Sequence, residues 1–318
     1  MKFAFLKSAV ATLAIAASAV TANAEDWAPN GPIKMMVAFR AGGGVDTMAR
    51  LLAEELSARN GWEFIPENVA GKGGATMATA LKGEPADGLA IGVTVNEAVT
   101  YGVQAARNPG YSVDDFEYLS TLTGSQMGII AKADRGWNDL GDVIAAAQAG
   151  EKITFGAMSP KLADAAYVIG KANGVEFTTV MVKGGKGGLN GVVADDLDVA
   201  WAAGVQTPGV KAGELVNIVS AETSPLRISP DAPLLEQYNV PFTFGVQFMV
   251  IAPAGLDDAA KSAYITAIAE VLNDPESKAA AFANKAFSGP VVIQGDALRA
   301  EIDANYAAAG ALLDASAE

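Results

Sequence analysis

The sequence predicts an α/β fold of two lobes with a central cleft and two crossover segments between them. Short β-like runs alternate with segments of helical period along the chain, which is typical of α/β architecture with parallel strands. The 318 residues suffice for about two domains, and with 51% hydrophobic and 18% charged residues they can bury large cores. Four closely spaced prolines indicate an extended crossover late in the chain: Pro225, Pro230, Pro233 and Pro241.

The first third of the mature chain predicts strands separated by helices. Ile33 to Phe39 forms a strand, and a helix follows from about Asp46, which can cap it, to Gly61, which suits a helix end. Two further strands are predicted at residues 64–65 and 89–95. A helix through Met77 and Leu81 lies between them.

The rest of the chain repeats this alternation and then becomes helical. Strands are predicted at residues 127–131, 153–155, 179–182, 199–201, 216–219 and 248–251. Helices are predicted at residues 140–149, 162–173, 257–273, 276–287 and 294–313. We therefore expect residues 25–124 plus 240–318 to form lobe 1 and residues 125–239 to form lobe 2, with the two crossings acting as a hinge.

The absence of cysteine and histidine narrows the range of possible catalytic groups, metal sites and cross-links. No disulfide framework, cysteine nucleophile or imidazole acid–base is available, so a Ser-His-Asp hydrolase and a Cys/His zinc site are excluded. We expect no catalytic residues, no metal and no cofactor. The net charge of −14, with no long basic run after the N-terminal segment, argues against a nucleic-acid partner.

Residues 1–24 have the features of a cleaved export signal. Lys2 and Lys7 supply the positive end, Ala9 to Val20 is apolar but too short to span a bilayer with ease, and Ala22-Asn23-Ala24 fits cleavage after Ala24. An N-terminal anchor helix is the alternative, but no stop-transfer pattern follows. We therefore expect the mature protein, with a net charge of −16, to lie free in the periplasm.

Three glycine-rich loops, each between a predicted strand and a helix, are the candidate binding elements. They are residues 41–44, 71–74 and 184–188. Ligands of open α/β sheets bind at the carboxyl ends of strands, where glycine permits close backbone approach and free N–H groups at a helix start favour an anion. Micromolar binding requires about 8 kcal/mol, which a few hydrogen bonds to a charged group, at about 1.5–3 kcal/mol each, can supply.

Each of these loops, taken alone, is equally well explained by packing. None fits the Gly-x-Gly-x-x-Gly pattern of dinucleotide binders or the Gly-x-x-x-x-Gly-Lys-Ser/Thr pattern of nucleoside triphosphate binders. No Gly-x-Ser-x-Gly nucleophile elbow is present either.

Several short motifs follow one another through the mature chain. The first are Trp27-Ala-Pro with Gly31-Pro-Ile, Val37 to Asp46 with Ala49-Arg50, Glu67 to Gly74 and Pro85-Ala-Asp-Gly88. The later ones are Tyr111 to Phe116, Val182 to Gly185, Asp198-Val199, Pro230 to Pro233 and Ala252 to Gly255. In this order, and over essentially the whole mature chain, they resemble the tripartite tricarboxylate transporter receptors, the Bug or TctC-like family of periplasmic solute-binding proteins.

The resemblance implies a type II-like binding protein whose two α/β lobes close on a small organic carboxylate. Backbone amides from one loop of each lobe hold the carboxylate, partly through water. Carried over by position, the first-lobe loop is Phe39 to Asp46, and the second-lobe loops are Gly156 to Lys161 and Lys183 to Gly187. Such a receptor delivers its cargo to the membrane subunits of an ion-driven transporter, and we expect it to be a monomer.

The predicted ligand-binding residues lie in these loops and at the end of the third predicted strand. They are Phe39, Arg40, Ala41, Gly42, Gly43, Gly44, Asp46, Thr94, Asn96, Ala157, Met158, Ser159, Lys161, Lys183, Gly184 and Gly185. Arg40 is either a bidentate partner of a carboxylate or a solvated loop arginine. Asp46 either caps the helix and orders the loop or bonds a ligand hydroxyl or amine. Outside this set, Asn68 is predicted to stabilise its own turn and Trp201 to lie in a core.

The second-lobe loop departs from the family pattern. Gly156-Ala-Met-Ser-Pro-Lys161 replaces a stretch rich in glycine and serine, so hydroxyl donors are lost and a cation is gained. Arg40 stands where the family often has proline or a small residue, and an aromatic residue is replaced near Gln247. These departures leave the ligand open among di- and tricarboxylates and aromatic acids.

Two other functions remain as alternatives to a transport receptor. One is a binding protein that presents its ligand-bound form to a sensor protein. The other is an enzyme that uses carboxylates, for example with a metal ion. Acidic pairs at residues 114–115, 195–196 and 257–258 motivate the second alternative, but none lies with a glycine loop.

Overall fold

A computed structural model describes residues 27–287 and 289–317 of the chain. The predicted export signal at residues 1–24 lies outside these residues. The described strands are β1 (Ile33–Val37), β2 (Phe64–Asn68), β3 (Ala90–Val95), β4 (Phe116–Ser125), β5 (Gly128–Lys132), β6 (Ile153–Ala157), β7 (Phe177–Met181), β8 (Val199–Ala202), β9 (Leu215–Ser220) and β10 (Val246–Pro253).

The described α-helices are α1 (Gly44–Asn60), α2 (Ala75–Leu81), α3 (Asn96–Val99), α4 (Tyr101–Ala105), α5 (Leu140–Gln148), α6 (Pro160–Ala172), α7 (Gly184–Val193), α8 (Thr207–Lys211), α9 (Asp258–Asn273), α10 (Lys278–Ala286) and α11 (Gly295–Ala317). Three of them begin earlier than predicted. The glycines at 184–188 are the first turns of α7 rather than a loop, and α1 and α6 begin at Gly44 and Pro160. Within the described ranges, no helix combines the length and the apolar character needed to cross a membrane.

The strands form two five-stranded sheets, and each sheet is the centre of one lobe. Sheet 1, in lobe 1, has the order β2-β1-β3-β10-β4, and sheet 2, in lobe 2, has the order β7-β6-β8-β5-β9. The predicted α/β fold of two lobes is therefore confirmed. The pairing is parallel except at one strand of each sheet: β10 runs antiparallel to its neighbours in sheet 1, and β5 runs antiparallel to its neighbours in sheet 2.

The two antiparallel strands have a common cause. Only Gln126 and Met127 separate the end of β4 from the start of β5. The chain therefore leaves sheet 1 at the carboxyl edge of its parallel strands and enters sheet 2 directly at the corresponding edge. A strand that enters at this edge must run against the others, and β10 does the same when the chain returns from β9. The carboxyl edges of the two sheets thus face one another.

Strand β4 was not among the predicted strands, because serines and threonines interrupt its apolar pattern. Ser120, Thr121 and Thr123 are buried, and the two threonine hydroxyls donate to a segment distant in sequence. The hydroxyl of Thr121 donates to the carbonyl of Val291 at 2.7 Å, and that of Thr123 donates to the carbonyl of Gly289 at 2.7 Å.

Both faces of each sheet are covered. In sheet 1, alternate residues of β1 point to opposite cores: Ile33, Met35 and Val37 pack with helices α1 and α9, and Met36 packs with α2 and α11. In sheet 2, Ile129 and Ile130 belong in the same way to two different cores. Trp201 is fully buried, as predicted, and its indole N–H donates to the carbonyl of Leu162 at 2.9 Å.

Helix α11 connects the lobes in addition to the two strand crossings. Its first half buries Leu298 and Ile302 in a core of lobe 1, and its second half buries Ala309 and Leu312 in a core of lobe 2. On the same side, the hydroxyl of Tyr101 in lobe 1 bonds Oδ2 of Asp164 in lobe 2 at 2.6 Å. The assignment of residues 25–124 plus 240–318 to lobe 1 and of 125–239 to lobe 2 stays a prediction.

Candidate functional site

A cavity of about 750 Å³ lies between the lobes, beside the first strand crossing. Its walls come from the end of β4 and the crossing, from the loop that leads into α8, from residues 226–228 of the proline-bearing segment, and from the end of α10. The lining residues are Ser125, Gln126, Gly204, Val205, Gln206, Thr207, Pro208, Lys211, Leu226, Arg227, Ile228, Asn284, Lys285, Ala286 and Phe287. Its size falls in the range of small-molecule sites.

The first-lobe loop follows β1 and is held by one carboxylate. The Asp46 side chain accepts hydrogen bonds from the Gly42 N–H at 2.9 Å and from Arg50 Nε at 3.0 Å. It also accepts from Asn68 Nδ2 at 2.7 Å. Gly42 adopts a positive φ of 78°, which suits a residue without a side chain. Burial alone raises the pKa of Asp46, but these bonds outweigh it and hold the pKa below its ordinary value.

Two predictions about these side chains are wrong. Asp46 does not cap α1, because the helix begins at Gly44 with Gly43 at the N-cap and no side-chain cap bond. Asn68 does not stabilise its own turn. Its amide nitrogen donates to the carbonyl of Phe39 at 2.9 Å as well as to Asp46, so it joins two loops at the edge of the sheet. The predicted ordering of the loop by Asp46 agrees with its bond to Gly42.

The start of α1 reaches the cavity through Phe287. A Cβ atom placed on Gly44 would lie 2.8 Å from Cζ of Phe287 and 3.6 Å from the ring of Phe248. Glycine is therefore required for this close approach. The rings of Phe248 and Phe287 pack edge to face with centroids 4.9 Å apart, and Phe287 lines the cavity on its other side.

The second-lobe loops reach the same cavity through Val205. A Cβ atom on Gly185 would lie 3.2 Å from Val205 and 4.0 Å from the terminal methyl group of Met158. The loops after β6, β7 and β8 therefore meet at this point. Across the gap, a Cβ atom on Gly204 would lie 3.9 Å from the carbonyl oxygen of Ala286 in lobe 1. None of the predicted ligand-binding residues lines this cavity itself, but Gly44 and Gly185 approach Phe287 and Val205, which do.

Other predicted residues of lobe 2 have mainly structural contacts. Ser159 is the N-cap of α6, where its hydroxyl accepts from the N–H of Leu162 at 3.4 Å, and Ala157 is fully buried. Lys183 is the exposed N-cap residue of α7, and Gly184 is the first residue of that helix. In lobe 1, Arg40 and Ala41 are exposed in the loop.

Thr94 and Asn96 lie at the end of β3 but do not line the 750 Å³ cavity. The Thr94 hydroxyl is buried without a hydrogen-bond partner among the residues that the structure describes, 3.1 Å from where a Cβ atom on Gly74 would be. Asn96 accepts from the Gln247 N–H at 3.2 Å and donates to the Gly245 carbonyl at 3.3 Å. Asn96 therefore fastens the returning strand to β3.

Lys161 lies among carboxylates rather than on the cavity wall. Its ammonium is 5.5 Å from the ring centre of Phe244. Burial lowers the pKa of Lys161, and the charges of Glu97 and Glu222 oppose this. Glu222 accepts from the N–H of Met127 at 2.5 Å, and burial raises its pKa to about 7. Two acids beside Lys161 leave little net positive potential for an anion there.

Sequence reasoning missed the cations of the cavity, Lys211, Arg227 and Lys285. They are far apart in the chain and belong to no motif, so only the fold brings them together. Within residues 27–287 and 289–317, no group of three or more acidic side chains is placed to hold a metal ion.

The family model described as "Tripartite tricarboxylate transporter family receptor" matches residues 48–299. A curated relative, the "UPF0065 protein in gbd 5'region" of Cupriavidus necator, is 28% identical over 262 residues, which cover 78% of this chain and 77% of that protein.

Two solved structures have the same fold. The periplasmic binding protein BugD is 22% identical, with a TM-score of 0.72 over 91% of this chain and 99% of that one. An R. palustris protein determined with adipate is 20% identical, with a TM-score of 0.72 over 91% of this chain and 98% of that one.

Proposed function

Because the chain belongs to the tripartite tricarboxylate transporter receptor family, we propose that it is a periplasmic receptor for a small organic carboxylate. The carboxylate is captured between the two lobes and delivered to the membrane subunits of a tripartite transporter. The chain is exported with cleavage after Ala24, acts as a monomer and performs no covalent step. The family match and the adipate in the R. palustris structure support the ligand class.

The observation that carries the proposal is the opposition of the two carboxyl edges across the crevice. A two-residue connection joins the sheets at these edges, and Gly44 of lobe 1 and Gly185 of lobe 2 approach the lining residues Phe287 and Val205. Helix α1 begins at Gly44, beside the cavity residue Phe287, and the free N–H groups of a helix start favour a negatively charged group.

Within the crevice, we assign ligand contact to backbone rather than to acidic side chains. The Gly42 and Gly43 N–H groups donate to Asp46 and to the Arg40 carbonyl, so the other amides of residues 40–44 and those of 157–159 bind one carboxylate, with Asp46 ordering the first loop from behind. Asp46 is buried and has three donors of its own, so its charge is already compensated by the protein. Lys183 and Gly184 belong to the rim, Lys161 is buried beside Glu97 and Glu222, and Thr94 and Asn96 support the end of β3.

Isothermal titration calorimetry with a panel of carboxylates tests the proposal. We expect saturable binding of at least one organic acid and no binding of its uncharged amide, which has the same size but lacks the charge. Small-angle scattering should show a smaller radius of gyration for the liganded protein, because the lobes close. Absence of binding across mono-, di- and tricarboxylates and aromatic acids would refute the function.

A further inference from the structure

The carboxylate of Glu222 touches both segments of chain that cross between the lobes. Its Oε1 accepts from the backbone N–H of Met127, in the first crossing, at 2.5 Å. A Cβ atom placed on Gly245, the last residue before β10 in the second crossing, would lie 2.6 Å from Oε2 of Glu222. The carboxylate therefore lies against backbone on two sides, at the junction of the lobes.

Lys161 brings a positive charge to the same junction. Its ammonium lies 5.5 Å from the ring centre of Phe244, the residue before Gly245. Lys161 forms no ion pair within residues 27–287 and 289–317, but the charges of Glu97 and Glu222 both act on it. One lysine of lobe 2 therefore serves an acid of lobe 1 and an acid of the crossing segment.

The other titratable groups nearby do not compensate Glu222. Glu301 of α11 lines the same cavity of about 390 Å³ as Glu222, and no lysine or arginine lines that cavity. Asp164, one turn after Lys161 in α6, accepts from the hydroxyl of Tyr101 at 2.6 Å. Lys161 is therefore the cation whose charge favours the ionised form of Glu222. Because Glu222 is half-buried and lines a cavity, protons from solvent can reach it.

An anionic ligand changes the charge balance of this cluster. Lys161 is the second residue of α6 and follows directly after the amides of residues 157–159, to which we assign the carboxylate. With both acids ionised, Lys161, Glu97 and Glu222 carry a net charge of −1, which repels an anion. A bound carboxylate competes with Glu222 for the charge of Lys161. Burial raises the pKa of Glu222 to about 7, so this loss of compensation favours its neutral form.

We propose that Glu222 is a proton-binding site coupled to the ligand through Lys161, so that the protein takes up a proton when it binds an organic anion. The proton comes from solvent and adds to the Glu222 carboxylate, and no other bond forms or breaks. This inference rests on the proposed function and adds a second ligand, H⁺, to it. The affinity for the acid therefore falls as the pH rises through the neutral range.

Isothermal titration calorimetry at pH 7, in HEPES and in Tris, counts the protons taken up. The two buffers absorb different heats when they give up a proton, so the difference between the observed binding heats gives the number. The probe is the tightest-binding acid among benzoate, malate, adipate and citrate. The proteins are the wild type, Glu222→Gln and the matched control Glu236→Gln, which changes an exposed glutamate of lobe 2. Thermal unfolding verifies that both variants fold.

We expect the wild type to take up about 0.3–0.4 of a proton at pH 7. Its affinity should fall about three- to sixfold between pH 6.5 and pH 8.5. Glu222→Gln should take up no proton and should bind within about twofold at the two pH values, because glutamine does not titrate. Any proton taken up by the acid itself is the same for all three proteins, and the variant subtracts it. Glu236→Gln should behave as the wild type does.

Each other outcome identifies what is wrong. If the wild type binds an acid with no more proton uptake than Glu222→Gln, the linkage is wrong while the receptor function stands. Uptake that persists undiminished in Glu222→Gln overturns the assignment to Glu222 and points to Lys161, the other buried titratable group of the cluster. If none of the acids binds the wild type at either pH, the receptor function itself fails, and the linkage fails with it.

Discussion

Replacing Glu222 with glutamine will make the free energy of unfolding less dependent on pH in the neutral range. Glu222 lies just after β9, beside the strand crossing. Burial raises its pKa to about 7, while the Met127 N–H and the charge of Lys161 act in the opposite direction. Glutamine keeps an oxygen that can accept from Met127 but has no proton to lose.

The sign and size of this pH dependence follow from the difference in bound protons between the folded and unfolded states. An unfolded glutamate loses its proton near 4.5, whereas the folded protein retains it to about 7. Unfolding therefore releases a proton between these values, and stability falls as the pH rises through this window. The full difference is about 3 kcal/mol, at about 1.4 kcal/mol for each tenfold change in proton affinity. Lys161 loses a neighbouring carboxylate in the variant, so we expect a net gain of about 2 kcal/mol at pH 8.

Urea unfolding at pH 5 to 8.5, followed by circular dichroism, measures this effect. The wild type and Glu222→Gln should be similar at pH 5, and their curves should separate progressively above it. Glu236→Gln, at an exposed glutamate of lobe 2, controls for the loss of one negative charge. Parallel pH profiles for the wild type and Glu222→Gln would refute the argument, because they would mean that Glu222 loses its proton equally in both states.

Three other substitutions test the crevice and the contact between lobes. Asp46→Ala removes the acceptor of three donors and should lower the free energy of unfolding in urea by about 2–4 kcal/mol. It should also abolish carboxylate binding, and unchanged binding would contradict the role of the loop. Gly44→Ala places a Cβ atom 2.8 Å from Phe287 and should lower the free energy of unfolding by about 1–3 kcal/mol. The same change made in a Phe287→Ala protein should not lower it further. Tyr101→Phe removes the bond to Asp164 and should cost about 1 kcal/mol. It should also speed amide hydrogen exchange in α4 and α6, and unchanged exchange would show that this bond does not hold the lobes.

Much of the fold could be predicted because its signals are local. The alternation of strands and helices and the helix end at Gly61, which adopts φ 71°, depend on residues close together in the chain. Strand β4 depends on hydroxyl contacts with residues 289–293, more than 160 positions away, and these leave no local pattern. The direction of β5 depends on how the two sheets face each other, and the spacing of hydrophobic residues along the chain does not reveal this.

The candidate site also combines features that have a local sequence signal with features that have none. The glycine loops could be found because only glycine lets another group pack directly against the backbone, as the Phe287 ring does at Gly44. The partners of Asp46 and Asn68 could not be found, because those bonds join loops that follow different strands. The three cavity cations come from three separate segments, and only the folded chain places them around one space.

The interior position of β10 has a consequence for how the protein is made. This strand is supplied by residues 246–253 yet lies between β3 and β4, which are complete by residue 125. Until about four-fifths of the chain has been synthesised, lobe 1 therefore has two unpaired strand edges in place of a continuous sheet. Such late, long-range pairing slows folding, so the growing chain cannot complete sheet 1 until residues 246–253 have been synthesised.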